Sequence, residues 1–181
     1  MSIVFGMFLV ILLFSSCENA ESETYLIPSD YTGEIQVIFN QNGIPIKYKN
    51  EYGHDTTYTS KIGQPVKYEN GRRLYEIPSN GILLTQFKNN DGFINREYYS
   101  VNGLGERIRL EVFEPGDSVK WKANNTMKGV FGDGVSGSYG NMNIPYQDFT
   151  VCIYGQLDSL KSRGECLKFD NRVGALIGLK L

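Results

Sequence analysis

The sequence predicts an all-β, sandwich-like antiparallel domain with at most one short helix, set behind an apolar leader. Three observations carry that expectation. Tyr, Val, Ile, Thr and Gly stand where helix formers would otherwise be expected, with twelve Tyr and ten Phe in 181 residues, and β-branched and aromatic side chains suit a pleated, half-buried surface. Several stretches alternate apolar and polar residues at period 2, the mark of a strand with one buried face. Clusters of Asn, Asp, Ser and Gly separate those stretches and read as turns.

The leader comes first. Ile3 to Phe14 is an apolar run that ends in Ser15-Ser16-Cys17, and the chain turns polar at Glu18-Asn19-Ala20-Glu21-Ser22-Glu23. The run is about 15 residues, short of the roughly 20 that a helix needs to cross hydrocarbon. It has no polar face, so it is a poor surface helix for a folded core. An apolar stretch, small residues and a cysteine resemble a bacterial lipoprotein signal peptide. The resemblance implies that 1–16 is removed and that Cys17 becomes the lipidated first residue, palmitate among its acyl chains. Several chains on one residue anchor stably where one binds only marginally. Residues 17–24 then form the lipidated cysteine and a polar tether, kept in water by its acidic side chains. No Lys or Arg precedes the run, although signal peptides carry positive charge there, so basic residues are expected upstream of Met1. Phe14 stands three before the cysteine, where such signals more often have a small or aliphatic residue. The implied location is the cell envelope, as an outer membrane lipoprotein. Acidic residues after the cysteine resemble a surface-export signal, and both the periplasmic and the surface face stay open.

Residues 25–181 have the length of a single β-rich domain. Tyr25-Leu26-Ile27-Pro28 opens it, and Ser29 to Gly33 turns the chain into a strand, Glu34–Asn40, with Ile35, Val37 and Phe39 on one face. Gly43-Ile44-Pro45-Ile46-Lys47-Tyr48-Lys49-Asn50 is echoed by Gly63-Gln64-Pro65-Val66-Lys67-Tyr68-Glu69-Asn70, identical at five of eight positions. One copy does not make a solenoid; 43–62 reads as a duplicated insertion, an extra hairpin or extended loop. Between the copies, His54–Ser60 reads as an exposed strand or loop. A longer echo relates Tyr25-Leu26-Ile27-Pro28-Ser29-Asp30 to Tyr75-Glu76-Ile77-Pro78-Ser79-Asn80, each followed by Gly and an apolar strand, the second being Ile82–Phe87. Proline ends both strands because it cannot donate to a ladder.

Lys88 to Gly92 turns the chain into a strand over Phe93–Val101. Asn102-Gly103-Leu104-Gly105 turns it again into Glu106–Phe113, where Ile108, Leu110 and Val112 share a face, a plain hairpin signal. The Gly- and Asn-rich stretch from Gly129 through Asn143 reads as a flexible loop after the single Trp121. Phe149–Tyr154 returns to strand, Gln156–Arg163 is a short helix or turn, and Val173–Leu181 is an apolar strand.

The segment Tyr25 to Val112 resembles a family of Bacteroidota lipoproteins of unknown function. Tyr25-Leu26-Ile27-Pro28, Tyr31-Thr32-Gly33, Val37-Ile38-Phe39, Tyr68-Glu69-Asn70-Gly71-Arg72-Arg73-Leu74-Tyr75-Glu76-Ile77-Pro78 and Gly81 to Phe87 carry the resemblance. It implies a lipid anchor and a β-rich domain, and it supplies no catalytic residues.

Composition excludes some chemistry. With net charge −2 and no basic stripe, the footprint of a nucleic-acid binder is missing. His54 is the only histidine and lies in a polar stretch ill suited to holding a base, so it reads as a surface residue and no catalytic residue is assigned. Asp133 stands alone in the Gly-rich run, which lacks the carboxylates of a calcium loop and the lysine and helix of a phosphate loop. No metal and no cofactor is expected. Paired carboxylates of a hydrolase carry no sequence motif, since their separation is spatial. Cys152 and Cys166 are an even pair in an exported protein, which points to a disulfide; the alternative is two buried thiols. Asp55-Thr56-Thr57, Asp117-Ser118-Val119 and Asp158-Ser159-Leu160 resemble the O-glycosylation acceptor pattern of Bacteroidota, at Thr56, Ser118 and Ser159. The expectation is an envelope-anchored, non-catalytic binding or structural module. It touches the membrane through its lipid and takes an envelope protein or glycan as partner. The alternative is an envelope hydrolase using carboxylates.

Overall fold

The computed structural model describes residues 20–49, 52–139 and 144–162, and these build the mostly-β body that the alternating stretches predict. In chain order the strands are β1 (Glu23–Pro28), β2 (Gly33–Ile38), β3 (Pro45–Lys49), β4 (Asp55–Thr59), β5 (Tyr68–Glu69), β6 (Arg72–Glu76), β7 (Ile82–Leu84), β8 (Arg96–Val101), β9 (Arg107–Val112), β10 (Lys128–Tyr139) and β11 (Ile144–Ile153). Nine of them form one sheet in the order β5-β6-β1-β8-β9-β10-β11-β2-β7, and β3 pairs with β4 alone.

Antiparallel pairing is what short strands and tight turns predict, but the sheet is mixed. β1 runs parallel to both β6 and β8, β9 to β10, and β2 to β7. Two of these pairings, β1–β6 and β2–β7, join the two units of the long echo. Each Tyr-x-Ile-Pro strand is ended by its proline, and each is followed by a turn and a second strand. Two units with the same direction lie side by side: Tyr25 is level with Tyr75, and Val37 with Leu83. The short repeat behaves otherwise. Its first copy makes β3, while in its second only Tyr68–Glu69 is strand.

That second copy closes the sheet. Gln64 N–H donates to Leu84 O at 2.7 Å and Gln86 N–H to Gln64 O at 2.9 Å, while Leu74 N–H donates to Lys67 O at 2.9 Å. The segment therefore pairs with the β7 side and with β6, and the two edges of the curled sheet are joined rather than left open. Gly63 is required at the join, since a Cβ there would lie 2.5 Å from the Leu84 carbonyl. Side chains from opposite strands, among them Ile27, Val37, Leu83, Val130 and Val151, fill the interior. Layering of the sandwich kind occurs on the outside, where Ile46, Tyr48 and Tyr58 lay the β3–β4 hairpin over Ile38, Ile82 and Ile144. The hairpin covers the outer face of β2, so both faces of that strand are buried.

Three local expectations change. The Gly-rich stretch is strand β10 through Tyr139, not a loop. It is laddered to β11 with a register shift between Phe131 and Val135, the irregularity a bulge introduces. Glycine serves there because Trp121 lies on the strand: a Cβ on Gly129 would sit 2.3 Å from the indole and 2.9 Å from Glu111 O. Ile108, expected to share a face with Leu110 and Val112, is 71% exposed, because it lies at the turn end of the β8–β9 hairpin, where the strands run beyond the interior. Two six-residue helices stand where one was expected, α1 (Ser118–Ala123) and α2 (Leu157–Ser162). No side-chain cap holds α1; it is fixed by Trp121, wholly buried against Phe131 and Cys152 with Phe113 and Tyr154. The expected strand Val173–Leu181 lies outside the described residues.

Gly129→Ala should therefore destabilise the fold by about 1–3 kcal/mol, the cost of overpacking. Thermal melting followed by near-UV circular dichroism reads it; an unchanged melting temperature would mean that Trp121 does not rest on β10.

Candidate functional site: a buried carboxylate behind a charged cleft

β1 lies between β6 and β8 with both neighbours parallel, so inward-facing residues of three strands fall into levels. One level is aromatic. Tyr25 stacks between Tyr75, at 4.8 Å between ring centroids, and Tyr98, at 5.0 Å, with Phe149 edge-on at 5.3 Å. One pleat toward the start of β1 the level is charged: Glu23 is in register with Arg73 on β6 and Arg96 on β8.

Glu23 is fully buried. An ionised carboxylate so placed is costly unless paired and hydrogen-bonded, and it is surrounded by donors. Arg96 Nε donates to Oε2 at 3.0 Å, and Tyr25 Oη at 2.8 Å. Asn90 Nδ2 donates to Oε1 at 3.1 Å and Tyr75 Oη at 3.3 Å. Arg73 turns the other way, to Glu21 and to Lys88 O at 2.6 Å, its guanidinium 5.0 Å over the Phe87 ring. Tyr25 Oη also lies 3.2 Å from Gln147 Oε1, and Gln147 Nε2 is buried without a partner among the described residues. One hydroxyl proton cannot serve both acceptors. With the Gln147 amide turned over, its N–H donates to Tyr25, which donates on to Glu23. Burial first, and then the Glu23 charge, push the Tyr25 and Tyr75 hydroxyls well above the usual 10.

The cleft lies on the far side of Arg96. β8 and β9 are in register from Tyr98–Leu110 onward. Short of that level Glu111 and Val112 pair with β10 instead, and Arg96 and Glu97 pair with β1. The splay opens a cleft of about 400 Å³ lined by Arg96, Glu97, Arg109, Glu111 and Glu114, with Tyr98, Leu110 and Val112 behind them. Glu97 is set between Arg72 at 3.8 Å and Arg109 at 3.9 Å and accepts from Tyr99 Oη at 3.0 Å. Glu111 pairs with Lys120. The cleft thus offers fixed charges of both signs, with Arg96 as the link to the buried carboxylate.

The residues singled out from sequence lie elsewhere. Cys17 and Cys166 are outside the described residues. Cys152 is buried beside Trp121 and Phe131. Thr56 is half-buried on β4, Ser118 opens α1 and Ser159 is exposed on α2. His54 is exposed ahead of β4, and none of these lines the cleft. Among the described residues no three His, Cys, Asp or Glu side chains are grouped to hold a metal ion. One boundary is corrected: Glu23 and Thr24, expected in the solvated tether, are buried residues of β1. Arg96 for Glu23, and the Arg72 Nε–H donated to Thr24 Oγ1 at 2.9 Å, supply what water would have given them. The signal for Glu23 was Tyr25 two residues on; a strand that starts two residues earlier places both on one face.

A curled mixed β-domain with a buried, multiply hydrogen-bonded carboxylate and a charged cleft is the class that these features define. The chain belongs to a family of unknown function (DUF6843), which matches residues 54–154. The match takes in the cleft and Arg96, while Glu23 and Tyr25 precede it. A 2.75 Å crystal structure of a "Putative Lipoprotein" from Bacillus anthracis is similar at 20% identity, over 72% of this chain and 68% of that one, with a TM-score of 0.47. No curated protein matches.

Arg96→Met should destabilise the domain by about 3–5 kcal/mol by stranding a buried charge, and adding Glu23→Gln should recover part of that loss. Denaturant unfolding of both variants tests it, and a double variant no better than the single one would contradict the pairing. The contribution of these tyrosines to stability should be full below pH 10 and be lost above it, because unfolded tyrosines release protons there that Tyr25 and Tyr75 keep while folded. Tyr25→Phe should flatten that alkaline slope; the same slope in both forms would argue against it.

Proposed function

We propose that the protein is an envelope lipoprotein, held by acyl chains on Cys17, that works as a non-catalytic binding module with the β8–β9 cleft as its ligand site. The observation that carries this reading is the state of the cleft's carboxylates: Glu97 is held by two arginines and Glu111 by a lysine. Fixed opposite charges on a rigid hairpin suit holding a polar envelope partner, a protein segment or a glycan. Bidentate guanidinium contacts from Arg109 would give geometric selectivity. An envelope hydrolase would have to draw its carboxylates from the same cleft, where Glu97, Glu111 and Glu114 meet.

The same reading includes signal-peptide removal after residue 16, a placement in the outer membrane and a Cys152–Cys166 bridge. O-glycans at Thr56, Ser118 and Ser159 belong to it as well; Ser118 and Ser159 sit on the short helices and do not line the cleft.

In cells fed labelled palmitate the wild-type chain should take up label and Cys17→Ser should not; label in both would remove the anchor. A photo-crosslinker at Arg109 should capture an envelope partner that one at Lys49, on the outer hairpin, does not. Turnover of an envelope glycan by the purified protein, lost in Glu111→Gln, would replace the binding reading with the hydrolase.

A further inference from the structure

We infer that the tether end of the barrel is a membrane-contacting surface, with Phe93 seated in the interface of the bilayer that holds Cys17. This rests on the lipid-anchor reading above and adds to it an orientation and a contact residue.

The first ground is reach. Three residue steps separate Cys17 from Ala20, so Ala20 lies within about 11 Å of the anchored residue whatever path the chain takes. Ala20 in turn touches the loop that carries Phe93: its Cβ lies 3.5 Å from the position that a Cβ on Gly92 would occupy.

The second ground is fixation. Asn90 binds the tether from both sides of its amide. Its Nδ2 donates to Glu21 O at 2.6 Å, and its Oδ1 accepts from Glu21 N–H at 3.2 Å. Glu23 N–H donates to Asn95 O at 3.0 Å. The loop from Lys88 to Asn95 is therefore fastened to the stretch leading from the lipid, and it keeps its place when the body moves on its anchor.

The third ground is exposure. Phe93 is 101% exposed in the loop, beside the half-buried Ile94, and Tyr68, at the same end, is 49% exposed with its hydroxyl on Glu21 at 2.9 Å. A phenylalanine ring gains by leaving water for the headgroup/acyl boundary, and a tyrosine keeps its polar tip wet at the same depth. Glu21 is paired with Arg73, and Lys88 and Asp91 balance on the loop, so the contact is apolar and needs no anionic lipid. The opposite end supplies a control: Leu104 is 86% exposed in the β8–β9 turn, about 20 Å farther along the six-residue β8.

The lipidated full chain, reconstituted in phosphatidylcholine vesicles with brominated acyl chains, tests this with Phe93→Trp and Leu104→Trp against the constant emission of buried Trp121. The expected result is blue-shifted, quenched emission at position 93 and unquenched emission at position 104. Chains that float with the vesicles but show no quenching at 93, or equal quenching at both positions, would overturn the contact and leave the anchor standing. Chains that do not float would remove the anchor and this contact with it. Hydrogen exchange reads the same contact without a new tryptophan. Amides of 88–95 should exchange more slowly in wild type than in Phe93→Ser on those vesicles, with 102–105 unchanged; equal rates would overturn it.

Discussion

Glu23 carries a carboxylate where water does not reach, and the strands around it are placed so that this charge is met. Arg96 must come from one neighbouring strand and Tyr75 from the other, which forces β1 between β6 and β8 in one register. The same register stacks the three tyrosines, whose rings gain contact energy beyond their buried area. A slip of one residue along β1 would turn Glu23 and Tyr25 outward together and put Ser22 or Thr24 level with Arg96 in place of its carboxylate. The buried charge therefore acts as a pin for the register, a use for which polar groups in cores are best attested.

The pin also connects the interior to the surface. Arg96 has its donor on Glu23 and its side chain at the wall of the cleft. That cleft exists because β9 leaves β8 for β10 at the level of Glu111. The exchange of partners is in turn tied to Trp121, which rests on Gly129 and fixes how close β10 comes to the Glu111 carbonyl. Fold and site thus share residues, and a change at one is felt at the other.

Much of the fold is legible in the sequence, because period-2 alternation and turn residues are local signals. β2, the β8–β9 hairpin and the end of β11 all follow from them. The parallel pairings are not local. Tyr25 and Tyr75 are visibly alike, but likeness does not say that two segments are neighbours, and only the closed sheet brings them together. β10 was hidden by its glycines, which lower strand propensity for a reason supplied by Trp121 on a different element. Glu23 was hidden by its acidic neighbours: Glu18 and Glu21 read as a solvated run, and nothing nearby in the chain reveals that Arg96 and Asn90, some seventy residues on, would come to meet the third glutamate.

The position of β1 has a mechanical consequence. The first described strand is an inner strand with four registered pairs on one side and six on the other, both running parallel to it. With the anchor proposed above, a pull through the acyl chains would act along the strand axis, loading both rows of bonds in shear so that they share the strain, where an edge hairpin would unzip bond by bond. Drag on the body would then meet the fold along its most resistant direction.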